Sequence, residues 1–360
     1  MAYTAIELNE FRYTDLESLP PPHTADNQCS KTLKSSVVDA LGPSGPGLLC
    51  VTGVPQDILE LRRNLLTQAR ELALIHPDHL KRVLKEHKLG SDVPLKNPRR
   101  IVSSFATNLK FEQSFSINKV VETQDTLGKA DFSNLRFKIE VLGNWMRDLG
   151  LRVARLCDEA IGGNELEQSL MESDSTKARL IHYHPPIDNE KDMWQQWHYD
   201  YGILTVLTAP MFLSPHGIEV SSYPDGLSCL QIFDKKENEI KMVKIDPKNF
   251  IIQVGESAEI LSKGKLQATL HAVSKPMNGH CLSREMFVLF LQPSWTKTLE
   301  LPKGLISEEA NNLVNRSNPK FHELDRIVPP LSSRLKNGMT FANFSQVTTK
   351  QYYGGSGLQS

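Results

Sequence analysis

Residues 194–207 read Trp-Gln-Gln-Trp-His-Tyr-Asp-Tyr-Gly-Ile-Leu-Thr-Val-Leu (WQQWHYDYGILTVL). Taken as a strand-like run, the segment puts His198 and Asp200 on one side, because side chains two apart along a strand share a face. An apolar stretch follows at once, so the pair points into a sheet's interior. An imidazole and a carboxylate are costly to bury together unless something compensates them. A divalent metal ion compensates both, provided that other parts of the chain bring further ligands.

The candidate third ligand is His271, in QATLHAVS, a β-patterned segment far downstream. Two neutral imidazoles and one carboxylate on one face of a metal form the 2-His-1-carboxylate arrangement. Three ligands occupy one triangular face of an octahedron and leave three adjacent positions open. A bidentate oxoacid takes two of these, and dioxygen takes the third. Iron(II) suits the set because it can deliver electrons to dioxygen, which zinc cannot. The ligands by themselves leave zinc and manganese open. A short His-x-Asp pattern in a chain with 11 histidines also leaves open a surface pair or a capping group.

Arg284 opens REMFVLFL, a strongly apolar strand. Arginine keeps its charge, so a buried one needs an anion, and its planar fork suits a carboxylate. A barrel with a metal at one level and Arg284 deeper in would hold a dicarboxylate end to end. Read alone, Arg284 is better suited to a solvent-facing strand start or a pairing with Glu285.

The 360 residues carry a formal net charge of −1, with a pI of about 6.8 and no long basic run. A nucleic-acid partner therefore has no electrostatic footprint. No apolar run reaches the roughly 20 residues needed to span a bilayer. The N-terminal MAYTAIELNEFRYTDLESLP is neither a secretory signal nor a transit peptide. The five cysteines are scattered, without a CxxC, which points to reduced thiols in the cytoplasm. Near-neutral charge and the lack of a heptad seam make a monomer the default.

Along the chain, SLPPPHTADNQCSK within residues 15–31 reads as a loop. SSVVDALGPSGPGLLCVTGVP gives a short helix, a turn and a strand centred on Leu48–Val51. Asp57–Ile75 has helical spacing, and residues 88–134 show no clear order. Leu135, Ile139, Leu142, Met146, Leu149, Val153 and Leu156 make one apolar stripe on a long helix, which Gly162-Gly163 ends. From Lys177 onward, short apolar or β-branched runs alternate with turn residues, as in an antiparallel sandwich or jelly roll. The expected organisation is a mixed α/β region over 1–134, a long helix and connector over 135–174, a jelly-roll core over 175–300 and a helical or irregular extension over 301–360.

These residues, in this order, resemble the iron(II)/2-oxoglutarate-dependent oxygenases, in the plant-type group that includes flavonoid and gibberellin oxidases and isopenicillin N synthase. FIIQVGESAEILSKGKLQATLHAV (250–273) is similar to the segment ending in that group's second metal histidine. HYDYGILTVL (198–207) resembles its His-x-Asp strand, and RLIHYHPP (179–186) the strand before it. VVDALGPSGPGLLCVTGVP (37–55) is more loosely similar to the region preceding the catalytic core.

The resemblance implies a mainly β fold with flanking helices around a double-stranded β-helix (jelly-roll) core. It implies iron(II) on His198, Asp200 and His271, and 2-oxoglutarate with its distal carboxylate on Arg284. Dioxygen would be the oxidant and ascorbate a candidate reductant. A small organic substrate would be hydroxylated or desaturated. The alternatives are a same-fold oxygenase that does not use 2-oxoglutarate, and a non-catalytic ligand-binding barrel. Three departures stand out. The family usually reads Arg-x-Ser or Arg-x-Thr at the clamp, where this chain has Arg284-Glu285-Met286. The interval from His271 to Arg284 is long, with the insertion around Met277–Cys281. The family's 2-oxoglutarate tyrosine aligns with His184, one position past Tyr183, so His184 is expected to face inward and donate a hydrogen bond there.

Overall fold

The computed structural model describes residues 4–19, 28–94, 100–110, 132–186, 193–220, 226–276, 281–301 and 328–353. The strands are β1 (Thr4–Glu7), β2 (Glu10–Arg12), β3 (Leu48–Thr52), β4 (Gly90–Ser91), β5 (Val102–Asn108), β6 (Lys177–Tyr183), β7 (Met193–His198), β8 (Leu204–Thr208), β9 (Met211–Leu213), β10 (Leu227–Asp234), β11 (Glu239–Lys244), β12 (Phe250–Val254), β13 (His271–Ser274), β14 (Ser283–Leu291), β15 (Thr298–Leu299) and β16 (Met339–Thr340). The helices are α1 (Tyr13–Glu17), α2 (Gln28–Leu41), α3 (Gln56–Leu74), α4 (Pro77–Glu86), α5 (Leu135–Ile161), α6 (Glu165–Met171), α7 (Glu256–Leu261), α8 (Leu331–Arg334) and α9 (Phe341–Tyr353).

Two sheets face each other. The smaller runs β1-β11-β10-β13-β7; the larger runs β2-β3-β12-β8-β14-β6-β5-β4, with β9 beside β14. Their antiparallel cores, β11-β10-β13-β7 and β12-β8-β14-β6, make the double-stranded β-helix. The first 110 residues are not a separate layer. They add β1 to the small sheet and extend the large sheet at both edges. The sequence left residues 88–134 unordered, and β4 and β5 form there because β5 pairs with β6 along its whole length.

Alternation explains why β14 reads as a continuous apolar run. Phe287, Leu289 and Leu291 point outward into a core shared with α3 and α5, while Met286 and Val288 point inward against Leu230 and Val273 of the other sheet. A strand covered on both faces has no reason to alternate polar with apolar. The apolar stripe of α5 packs on that outer face, with Leu135, Ile139, Leu142, Met146, Leu149 and Val153 all buried. Gly162 ends the helix with φ of 70°, the left-handed cap that glycine adopts without strain. One expected boundary shifts. α2 begins at Gln28, inside the segment read as loop, whose residues 20–27 lie outside the described set, as do 277–280 of the insertion.

A buried ion pair ties the C-terminal elements to the core. Arg334, at the end of α8, is 1% exposed. Its Nη1 donates to Glu256 Oε2 at 2.7 Å and to Thr348 Oγ1 of α9 at 3.1 Å, and its Nη2 donates to Glu256 Oε1. Burial pushes the Glu256 carboxyl up, and the paired guanidinium pulls against that. Removing one partner leaves the other as an uncompensated buried charge, at about 3–5 kcal/mol. Arg334→Ala is therefore expected to lower the thermal denaturation midpoint clearly. The paired replacement Glu256→Gln with Arg334→Met should lower it less than the single change.

Candidate active site

His198 ends β7 and His271 begins β13, and the two lie opposite each other in the small sheet. Their ring centroids are 4.2 Å apart. Asp200 reaches the same point by a route the sequence did not show. WQQWHYDYGILTVL is not one strand: β7 stops at His198, and Tyr199–Ile203 carry the chain across to β8 in the large sheet. Asp200 sits in that crossing, so a turn rather than strand alternation aims it. The turn is held by backbone bonds from Glu256 N to the Asp200 carbonyl at 2.8 Å and from Gly255 N to the Ile203 carbonyl at 3.0 Å. A side chain on Gly255 would collide with the Gly202 carbonyl, so glycine is required for this approach.

The structure brings His198, Asp200 and His271 together, buried, with one candidate ligand atom from each lying within 4.8 Å of the others. His198 Nδ1 is 2.8 Å from the Gln196 carbonyl, and His271 Nδ1 is 3.0 Å from the Thr269 carbonyl. Carbonyl oxygens only accept, so Nδ1 of each ring carries the proton and Nε2 is left as an acceptor; on His198 it meets the Gln195 amide nitrogen at 2.9 Å, a contact that a bound metal would displace. Burial, and then the neighbouring His271, push His198 below its usual range and keep it neutral. Asp200 Oδ2 accepts from Thr205 Oγ1 at 2.6 Å and from Gln253 Nε2 at 3.0 Å. Two neutral imidazoles and a carboxylate, steered from behind by fixed partners, are a donor set that fits iron(II).

A cavity of about 600 Å³ opens between the sheets and includes all three residues in its wall. Arg284 also lines it, 2% exposed, on the large sheet. Its Nε donates to the Ser228 carbonyl at 3.0 Å, and its guanidinium lies 5.1 Å over the Tyr183 ring. Burial pushes its pKa down from the usual guanidinium range. Among the described residues no carboxylate forms an ion pair with it. Glu285 points the other way and meets His182 Nδ1 at 2.9 Å on the outer face of the sheet.

His184 does not face the cavity. Tyr183 pairs with Arg284 in register and lines the wall, with its hydroxyl donating to Gln195 Oε1 at 3.0 Å. His182 and His184 lie on the opposite side, their rings 4.3 Å apart, with His184 Nε2 at 2.9 Å from Ser103 Oγ. The phase of β6 is fixed by Ala178 and Leu180, which belong to the helix-facing core, while Ile181 packs between the sheets. Tyr183 must then point in and His184 out. Burial and the nearby His182 push His184 down to about 3, which suits a neutral hydrogen-bonded ring.

Residues 175–293 match the model of the 2OG-Fe(II) oxygenase superfamily. The chain thus carries a 2OG-Fe(II) oxygenase domain over those residues. It is an iron(II)- and 2-oxoglutarate-dependent dioxygenase. No curated protein sequence matches the chain significantly. Among solved structures, a full-length Neurospora crassa protein in complex with alpha-KG shares 12% identity at a TM-score of 0.62, covering 94% of this chain and 95% of that one. JOX2 in complex with 2OG, Fe and JA shares 17% at 0.60, covering 96% and 86%. The rice dioxygenase for auxin oxidation shares 18% at 0.57, covering 93% and 98%. At these identities the three show a shared fold.

Within this oxygenase, Tyr183 was set aside in favour of its neighbour His184, and Gln195, Thr205 and Gln253 went unnoticed as site residues in the sequence. Thr205 carries a weak legible signal, a hydroxyl inside a buried strand that reads LTVLT. Losing a residue that orients a metal ligand typically costs 10–100-fold in metal affinity. Thr205→Val and Gln253→Leu are each expected to weaken iron(II) binding by about that factor, as read by anaerobic titration, with the fold retained.

Proposed function

We propose that His198, Asp200 and His271 hold the iron, that Arg284 and Tyr183 hold the distal carboxylate of 2-oxoglutarate, and that the rest of the cavity takes a small organic molecule for hydroxylation or desaturation. The observation that carries this reading is the buried convergence of the three ligand atoms within 4.8 Å. It is supported by Arg284, a buried guanidinium on the same cavity whose Nε already donates to a carbonyl.

When bound, the iron supplies the redox chemistry that couples dioxygen-driven decarboxylation of 2-oxoglutarate to removal of a hydrogen atom from the substrate. The chain's residues do the placing. Thr205 and Gln253 fix the Asp200 carboxylate, and the carbonyls of Gln196 and Thr269 fix the two rings. Arg284 offers a charge-assisted fork for the distal carboxylate. Tyr183 supplies the hydroxyl that Met286 does not. Met286, Leu207 and Val288 line the wall and keep water from the methylene chain of the co-substrate. We read the enzyme as a monomer of the cytoplasm, a reading supported by the buried thiols Cys50 and Cys157, the first pushed up to about 12 by burial. No described helix is long and apolar enough to cross a membrane.

Purified protein with iron(II), ascorbate and 2-oxoglutarate should release succinate, and His198→Ala or Asp200→Ala should reduce this to background. Equal release by either variant would contradict the ligand assignment. Loss of two charge-assisted bonds is worth about a hundredfold, so Arg284→Met should raise the KM for 2-oxoglutarate by about that factor. Tyr183→Phe should raise it severalfold, whereas His184→Gln, on the outer face, should leave it unchanged.

A further inference from the structure

One side chain joins the co-substrate end of the cavity to the metal end. Gln195 of β7 lines the cavity together with Tyr183, Arg284 and His198. Its place there depends on an irregularity in the small sheet. His271 pairs with His198 and Val273 with Gln195, so β13 takes two steps where β7 takes three. Residues three apart on a regular strand face opposite sides. The extra residue is a bulge, and it turns Gln195 onto the face that His198 occupies. The same bulge lays the Gln196 carbonyl against His198 Nδ1 at 2.8 Å.

The amide is oriented from both sides. Burial pushes the Tyr183 hydroxyl above its usual range, so the phenol keeps its proton. It donates to Gln195 Oε1 at 3.0 Å. At the other end Gln195 Nε2 lies 2.9 Å from His198 Nε2, which accepts because Nδ1 of that ring holds the proton. Donation thus runs in one direction, from Tyr183 through Gln195 to His198, and crosses from the large sheet to the small one.

A carboxylate held by Arg284 changes this order. Tyr183 has one proton to give. A charged acceptor draws it away from a neutral amide oxygen, because charge-assisted bonds are roughly twice as strong. With the proton turned to the carboxylate, the phenolic oxygen only accepts, and Gln195 Oε1 has lost its donor. The last side-chain torsion of glutamine is broad and roughly two-fold, so a rotation there exchanges the two ends of the amide. Nε2 then donates to the phenolic oxygen. Hydrogen bonds in series polarise one another, so this N–H strengthens the O–H bond to the carboxylate. The same rotation takes Nε2 off His198 and frees that nitrogen for a metal.

Resting on the oxygenase reading above, we propose that Gln195 is a positioning residue with two settings: it holds the Tyr183 hydroxyl on the distal carboxylate of 2-oxoglutarate and, by the same turn, releases His198 to the metal. It acts through Tyr183, and it adds to the preference for a 2-oxo acid with a second carboxylate over one without.

The test is anaerobic calorimetric titration of the intact protein loaded with iron(II). The two probes are 2-oxoglutarate and 2-oxobutyrate, which has the same 2-oxo acid head and no distal carboxylate. Gln195→Leu is expected to weaken 2-oxoglutarate binding about fivefold, the worth of one neutral hydrogen bond, and to leave 2-oxobutyrate binding unchanged. In a Tyr183→Phe background the same change should cost nothing further, because its effect passes through the hydroxyl. Iron(II) alone should bind Gln195→Leu about fivefold more tightly than wild type, since no amide competes for His198. Gln195→Met, similar in length and without the amide, takes the place of the leucine variant if that one fails to fold. Undiminished 2-oxoglutarate binding, equal weakening of both acids, losses that add in the double variant, or iron(II) binding no tighter than wild type would each overturn the proposal and leave the oxygenase reading intact. Binding of 2-oxoglutarate that neither Arg284→Met nor Tyr183→Phe weakens would instead strike the reading of the clamp, and this inference with it.

Discussion

The seam between the two sheets is closed by one carboxylate. Asp200 leaves the small sheet at the end of β7, and its side chain is gripped by Thr205 and Gln253 from the large one. Those contacts satisfy Oδ2 and leave Oδ1 toward the histidines, with His198 Nε2 3.8 Å away. A buried carboxylate with too few donors would be expensive, and one fully enclosed by donors would have nothing left for a metal. The sandwich meets both demands because β12 supplies Gln253 and the glycine that follows it, Gly255, lets the crossing turn pack closely.

The remaining buried charges follow the same logic. Glu256 and Arg334 neutralise each other and bind α8 and α9 to the core. Glu285 and His182 meet under the helices with Ser283, whose hydroxyl donates to Glu285 at 2.7 Å. Both pairs find their counter-charge or hydrogen-bond partner within the protein, away from the cavity. Arg284 differs in that it lines the cavity, where a small molecule can complete what the protein leaves partly matched. Sorting buried charges by whether protein or cavity completes them separates scaffold from site.

Much of this was legible in the residues. The stripe of α5 and its glycine cap, the train of short strands after Lys177, and the grouping of His198, Asp200 and His271 all follow from pattern. What escaped the sequence was phase and partnership. β6 is buried on both faces, so its residues give no polar-apolar contrast from which to read which side His184 takes. An alignment by resemblance placed it one step off. The crossing turn at Asp200 was hidden because a two-residue spacing suits a strand and this turn alike. β1, β2, β4 and β5 are short or unpatterned, and only their neighbours in the sheets define them.

Anomalous X-ray diffraction at the iron edge, on crystals of the wild-type protein grown anaerobically with iron(II), tests the central claim most directly. The account predicts one strong peak between the sheets, within coordination distance of His198, Asp200 and His271 and of no other side chain. A peak elsewhere, or a well-ordered site with those three side chains turned from it, would contradict it.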